Sequence, residues 1–237
     1  MNDVGVIVPS FDGYADVWPI TADLFARFWP DRQWPMYWMT NGERVPSIAA
    51  PILRPRVGRD EWGPDIAEAV ESIPEPLIVF WLEEIFPLSK VPNDLFLEAA
   101  EILRTTPDVG LVQLTRYYYS PETPTLGDFA DYPAGKPGFS SAMPALFRKE
   151  VLLHLLRTLP KSNDFEQQSA SVMLRDLPQV RCLASCSPMF RLCDNPVIGE
   201  RWCECVIPHF KELGLRVDLS KRSMHDNKCL HMEGVPA

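Results

Sequence analysis

Basic runs are missing from this sequence. No Lys/Arg block occurs in its 237 residues, and 32 acidic residues against 23 basic ones leave a net charge of −9. Nucleic-acid partners generally demand a basic stripe that neutralises phosphates, so that class is excluded. Long apolar runs are missing too. The longest, residues 77–82 (LIVFWL), falls far short of the ~20 residues that a membrane helix requires, so no integral membrane segment is expected. Asp3 stands where a secretory signal would carry basic residues, and a cytoplasmic location is expected. Glycine is scarce, at 12 residues against 24 prolines. Neither G-x-x-x-x-G-K-[ST] nor G-x-G-x-x-G follows the first apolar run, which disfavours a P-loop ATPase and a standard NAD domain. G-x-S-x-G is also absent, removing the usual α/β-hydrolase signature. The six cysteines fall in the last quarter of the chain without a single C-x-x-C pair, so structural or free thiols are expected over a metal cluster with His209, His225 or His231. Cys203 and Cys205, read as helical, should point to different faces.

What the sequence does hold is an alternating pattern. Proline is about twice its ordinary usage, yet the prolines are spread singly and seven tryptophans demand a core, which argues against disorder. Residues 4–8, 36–39, 77–82 and 109–114 read as strands. Between them lie amphipathic stretches: Pro19 opens one with Ile20, Leu24, Phe25 and Phe28 on a face, Pro64 a second with Ile66, Ala67 and Val70, and Pro92 a third with Leu95, Phe96, Ala99 and Leu103. Strands apolar on both faces and separated by helices indicate a mostly parallel sheet covered on both sides. The second half is less regular. Residues 117–138 read as a long irregular loop or hairpin, and long loops of this kind are often functional lids or binding loops; a stretch holding Leu152, Leu153, Leu155, Leu156 and Leu159 and residues 164–175 read as helices, 180–184 as a late strand, and 199–213 as a helix carrying Trp202, Val206, Phe210 and Leu213. No repeat or clean linker divides the chain, so one α/β domain over 1–237 is expected.

In an open parallel sheet, ligands bind beyond the carboxyl ends of the strands. That rule nominates the loops holding Ser10, Asp12 and Tyr14, then Asn41, then Glu83 and Glu84, and finally Arg116. A buried strand ending in adjacent carboxylates can hold Mg²⁺ or Mn²⁺ or can simply be a solvated acidic terminus; if extended, Glu83 and Glu84 point in opposing directions and only one faces a given ligand. The tryptophans at 18, 29, 38, 62, 81 and 202 sit mostly at core spacings, while an exposed one would suit stacking on a sugar.

Taken in order, VPSFDGYADVW (8–18), WPMYWMTN (34–41), IVFWLEEIF (78–86), SAMPALFRKE (141–150), DFE (164–166) and VDLSKR (217–222) give the chain its likeness to a known family. It resembles bacterial glycosyltransferases of the nucleotide-diphospho-sugar transferase type. The resemblance implies a single GT-A-like (Rossmann-like) domain, with 1–116 as the nucleotide-binding half and 117–237 as the acceptor and catalytic half. It implies a nucleotide-sugar donor bound by Ser10, Asp12, Tyr14 and Asn41, although Asp12-Gly13 also has the chemistry of a plain turn. A divalent cation, Mn²⁺ or Mg²⁺, would sit on Glu83 and Glu84, where the family normally shows paired aspartates. Glu166, ahead of Asp164, matches the carboxylate base that deprotonates an acceptor hydroxyl; the same residues also read as first-turn acids behind an N-cap. The acceptor would be a glycan or a lipid-linked molecule, the latter bringing the protein to the inner-membrane surface. Two other readings share the sheet: a sugar nucleotidyltransferase, and a non-catalytic GT-A-like binding protein.

Overall fold

The computed structural model describes residues 3–42, 50–54, 61–115, 123–133, 143–186, 190–194 and 196–226. Arg116 and the ends of the 117–138 connection lie outside the described residues, as do Cys229 and His231. The strands are β1 (Val4–Pro9), β2 (Met36–Met39), β3 (Ile52–Leu53), β4 (Leu77–Phe80), β5 (Phe86–Pro87), β6 (Val109–Gln113), β7 (Phe129–Asp131), β8 (Ala145–Arg148), β9 (Arg181–Ser185), β10 (Leu192–Cys193), β11 (Val197–Ile198), β12 (Arg201–Cys203) and β13 (Met224–His225). The helices are α1 (Trp18–Phe28), α2 (Trp62–Ser72), α3 (Asn93–Thr105), α4 (Lys149–Thr158), α5 (Ser162–Asp176) and α6 (Val206–Glu212). No helix among the described residues is long and apolar enough to cross a membrane.

Eight strands form one sheet in the order β3-β2-β1-β4-β8-β6-β9-β7. β3, β2, β1 and β4 are mutually parallel, β6 pairs parallel with β9, and β8 and β7 run against their neighbours. The order steps away from β1 in both directions, toward β2 on one side and β4 on the other, and a crevice opens beyond the strand ends at such a switch point. Period-two alternation divides the interior into two cores. Val4, Val6, Val8 and Val79 face α1 and α3, with Phe25, Phe96 and Leu103 packed over them. Ile7, Ile78 and Phe80 face α2, α4 and α5, meeting Val70, Leu155 and Phe165. A third cluster joins the outer side of α1, through Ile20 and Leu24, to Trp202, Val206 and Phe210 near the C-terminal end.

The helices expected from the first half form where the apolar periodicity puts them, and the parallel strands are buried on both faces. Two expectations are corrected. Residues 199–213 are not one helix: Gly199 and Glu200, with φ of 54° and 64°, make a two-residue hairpin turn between β11 and β12, and only Val206–Glu212 is helical. Both residues of such a turn take left-handed backbone, which matches the twist of the flanking strands. The chain therefore turns after Cys203, and the sulfurs of Cys203 and Cys205 lie 2.6 Å apart instead of on different faces. Within 117–138, the described part contains β7, held antiparallel to β9 through Ala130 and Ala184. Arg148 is tied into the fold. Its guanidinium donates to the carbonyls of Val109, Leu103 and Thr106, tying down the C-terminal end of α3.

The contact between α2 and the α4–α5 connection is set by a missing side chain. Gly63 donates its N–H to the Pro160 carbonyl at 2.9 Å, and a Cβ added there would lie 2.3 Å from the carbonyl oxygens of both Leu156 and Leu159. Backbone cannot yield as a flexible side chain can. Gly63→Ala is expected to lower the stability of the fold by about 1–3 kcal/mol, read as a reduced urea midpoint at unchanged slope. An unchanged midpoint would show that α2 can pull back freely.

Candidate functional site

The site is built on what happens to the chain after β4. Trp81 is fully buried and its Nε1–H donates to the Ile85 carbonyl at 2.7 Å, while the Ile85 N–H returns to the Leu82 carbonyl at 3.1 Å. The pair of bonds closes a tight turn with Glu83 and Glu84 at its centre, and the Glu83 carbonyl accepts from Thr21 Oγ1 at 2.7 Å. The expectation that the two glutamates point in opposing directions rested on an extended chain and is corrected: in the turn, both line one cleft of about 500 Å³ at the β1/β4 switch point.

Burial makes this pair electrostatically costly. Desolvation, followed by the Glu84 charge, raises Glu83; desolvation, with Glu166 as a further repulsive neighbour, raises Glu84. Partial compensation comes from the β1 loop. Ser10 Oγ donates to Glu83 Oε1 at 2.8 Å and accepts from Trp18 Nε1 at 2.7 Å, which fixes the serine hydroxyl toward the carboxylate. The Tyr14 hydroxyl interacts with the Glu84 carboxyl, and burial plus both carboxylates raise the pKa of that phenol. Oε2 of Glu84 is buried without a partner. The remaining compensation is a cation from the other end of the chain. Arg222, itself buried, forks onto Asp16 at 2.8 and 2.9 Å, donates to the Gly13 carbonyl at 2.7 Å and lies 4.5 Å over the Tyr14 ring. Its charge favours the ionised forms of both glutamates.

The other residues nominated from the sequence separate into two groups. Ser10, Tyr14 and Asn41 line the cleft with the glutamates. Asn41 Oδ1 also accepts the Asp12 N–H at 3.1 Å, joining the loops after β1 and β2. Asp12 itself lines a neighbouring recess beside Asp16 and Arg222. On α5, Glu166 lies near enough to Glu84 to raise it, and is itself raised by partial desolvation. Asp164 instead accepts from Gln168 Nε2, one turn on, at 2.9 Å. Three contributions were given no place in the cleft by the sequence reading, which listed Trp62 only among the tryptophans. The hairpin tip Gly199–Glu200 forms part of the cleft wall, Trp62 and Asp65 from the first turn of α2 form another part, and Arg222 supplies the cation. An aromatic and an acid three apart at a helix start share a face, and that spacing was the available signal for Trp62 and Asp65.

Among the described residues, no group of three or more His, Cys, Asp or Glu side chains could hold a metal ion by itself. The donor set nevertheless fits a hard divalent cation. Mg²⁺-type ions commonly take one or two protein carboxylates and complete their shell with water and substrate phosphates. Two adjacent glutamates, one carrying an unpartnered buried oxygen, meet that requirement.

No protein-family model and no curated protein matches the chain. Among solved structures, it is similar to S. aureus TarS, with a TM-score of 0.51 and 9% identity over 79% of this chain and 36% of that one. S. aureus TarS 1-349 in complex with UDP-GlcNAc gives 0.51 and 10%, over 79% and 57%. A cytidylyltransferase from Leptospira borgpetersenii serovar Hardjo-bovis gives 0.51 and 9%, over 77% and 75%. The chain thus spans little more than a third of the full TarS structure. Similarity at these identities shows the fold alone, a GT-A-like mixed α/β sheet with helices on both faces.

Two outcomes follow from the electrostatics. Both glutamates hold their protons more tightly in the folded chain than their ordinary value of 4.5, so the folded state binds more protons above that pH. Stability is complete below it and is lost as pH rises. In EDTA, the melting temperature of the wild type is expected to fall between about pH 5 and pH 8 relative to Glu83→Gln; parallel curves would contradict the arrangement. Arg222→Ala leaves Asp16 charged and unpaired at a site where the two side chains are only 5% and 8% exposed. It is expected to cost about 3–5 kcal/mol in urea denaturation, with partial recovery when Asp16→Asn is added.

Proposed function

We propose that this chain is a glycosyltransferase that moves a sugar from a nucleoside-diphosphate donor to an acceptor hydroxyl on a glycan or lipid-linked carrier, as in bacterial surface-polysaccharide synthesis. The observation that carries this reading is the turn that brings Glu83 and Glu84 together in the cleft at the β1/β4 switch point. On this reading the donor lies against Ser10, Tyr14 and Asn41, with Asp12 bracing Asn41 from behind. Residues 1–116 serve as the donor half and 117–237 bring the catalytic carboxylate. The enzyme works in the cytoplasm, at the inner-membrane surface where the acceptor is lipid-linked.

In the inverting form of the reaction, the acceptor oxygen attacks the anomeric carbon while Glu166 takes the hydroxyl proton. The bond between that carbon and the diphosphate oxygen breaks, and the nucleoside diphosphate leaves with the bonding pair. Glu166 is solvent-exposed on α5, and the partial desolvation it does undergo raises it, which favours proton uptake in this step. A divalent cation held by Glu83 and Glu84 would neutralise charge developing on the leaving diphosphate. Ser10, itself held by Trp18, keeps Glu83 oriented. Asp164 has its nearer duty in the α5 first turn, where an acid is favoured by the helix dipole.

A panel of UDP-, GDP-, CMP- and dTDP-sugars, each with and without Mn²⁺, tests the reading. A donor present at a hundred times its Kd stabilises by about 2.7 kcal/mol, which for a chain of this size raises the melting temperature by about 5–10 °C. Glu166→Gln is expected to lower kcat by about a hundredfold or more and to leave donor binding intact, whereas Glu83→Gln and Glu84→Gln abolish the Mn²⁺-dependent part of that binding. No stabilisation by any nucleotide would end the transferase reading. Pyrophosphate release from a nucleoside triphosphate and a sugar phosphate would mark nucleotidyl transfer instead.

A further inference from the structure

The wall of the cleft formed by the start of α2 has no duty in the chemistry above, yet it is expensive to maintain. Asp65 is only 2% exposed. Its Oδ1 is buried with no hydrogen-bond partner. Burial first, then the charges of Glu61 and Glu68, push it up to about 6. A buried carboxylate oxygen without a donor costs folding free energy, and the side chain lies on the cleft. Trp62, one turn before it, lines the same cleft, with the ring held edge-on by Phe80 and Phe165 at 6.4 and 5.6 Å. Ser162, at the start of α5, lies beside them, because Gly63 lets α2 approach the α4–α5 connection so closely.

We infer that Trp62, Asp65 and Ser162 form a pyranose subsite, in which the Trp62 ring packs on a sugar face and Asp65 accepts hydrogen bonds from sugar hydroxyls. An aromatic surface offers apolar area at small entropic cost. An ionised carboxylate has only acceptor capacity, and adjacent sugar hydroxyls are donors. The position agrees with the chemistry. Glu84 would face the diphosphate and Glu166, on α5, would be the base, so the transferring carbon lies between them. The start of α5 also supplies Ser162. This subsite rests on the transferase reading for its place in a reaction, but the sugar-binding chemistry is Asp65's own. Donor sugar and acceptor sugar are the two sources of such hydroxyls.

The test compares the wild type with Asp65→Asn and Asp65→Ala by calorimetry, using UDP against UDP-hexose and GDP against GDP-hexose with Mn²⁺, and free disaccharides with the nucleoside diphosphate present. Hydrogen bonds to a charged group contribute about 1.5–3 kcal/mol, and Asp65→Ala is expected to weaken nucleotide-sugar binding about tenfold or more while the nucleoside diphosphate binds as before. The same loss confined to the disaccharide arm supports the subsite and assigns it to the acceptor. Asp65→Asn keeps the shape and removes the unpaired charge, so its melting temperature without ligand is expected to equal or exceed that of the wild type. Equal weakening of nucleoside diphosphate and nucleotide-sugar would overturn the inference and place Asp65 on the nucleotide. Unchanged binding in every arm would overturn it as well. If the wild type binds no nucleotide, the transferase reading fails, and the subsite stands only on Asp65-dependent binding of free disaccharide.

Discussion

Everything about the cleft depends on holding two carboxylates side by side where water is scarce. The Trp81–Ile85 hydrogen bond forces the chain to turn immediately after β4, and the turn puts Glu83 and Glu84 on the same side. Neither could remain there on its own, since burial disfavours both charges. The surrounding polar groups are placed to offset that cost without removing it. Ser10 and Trp18 serve Glu83, Tyr14 serves Glu84, and Arg222 spreads a positive charge over both. What remains uncompensated includes Oε2 of Glu84, buried without a partner.

The C-terminal portion is tied to this arrangement. Trp202, Val206 and Phe210 pack on the outer side of α1, and Arg222 is locked onto Asp16 and the Gly13 carbonyl in the loop that starts at the end of β1. The hairpin tip at Gly199–Glu200 then reaches the cleft. Packing at the back of α1 and the charge balance at the front therefore draw on the same C-terminal segment. Asp65 and Trp62 line the cleft from α2, whose first turn is drawn against the end of α4 by the close approach at Gly63.

Much of this was legible in the residue pattern. Continuous apolar runs marked β1, β4 and β6, helical periodicity marked α1, α2 and α3, and the rule for strand ends placed Ser10, Asn41 and the two glutamates at one edge. The weak point was local chemistry that depends on contacts. An extended chain through Glu83 and Glu84 was the natural expectation for a strand running into acids, and the bonds from the Trp81 indole to Ile85 and from Ile85 to Leu82 undo it. The 199–213 stretch satisfied helical spacing while Gly199-Glu200 made a hairpin. β8 gave little signal, being a four-residue strand that becomes antiparallel only through its place between β4 and β6.

The sequence by itself determined the class of architecture, the faces of the principal helices and the edge of the sheet at which Ser10, Asn41, Glu83 and Glu84 gather. These follow from periodicity, which is a property of neighbouring residues. Tertiary structure alone decided that Glu83 and Glu84 share a cleft, that Asp12 turns to a neighbouring recess, and that Asp65 stands buried without a partner. It alone joined Arg222 to Asp16, 206 positions away. The physical reason is that the state of a carboxylate depends on the water it loses and the donors it gains, and both are set by side chains from distant parts of the chain.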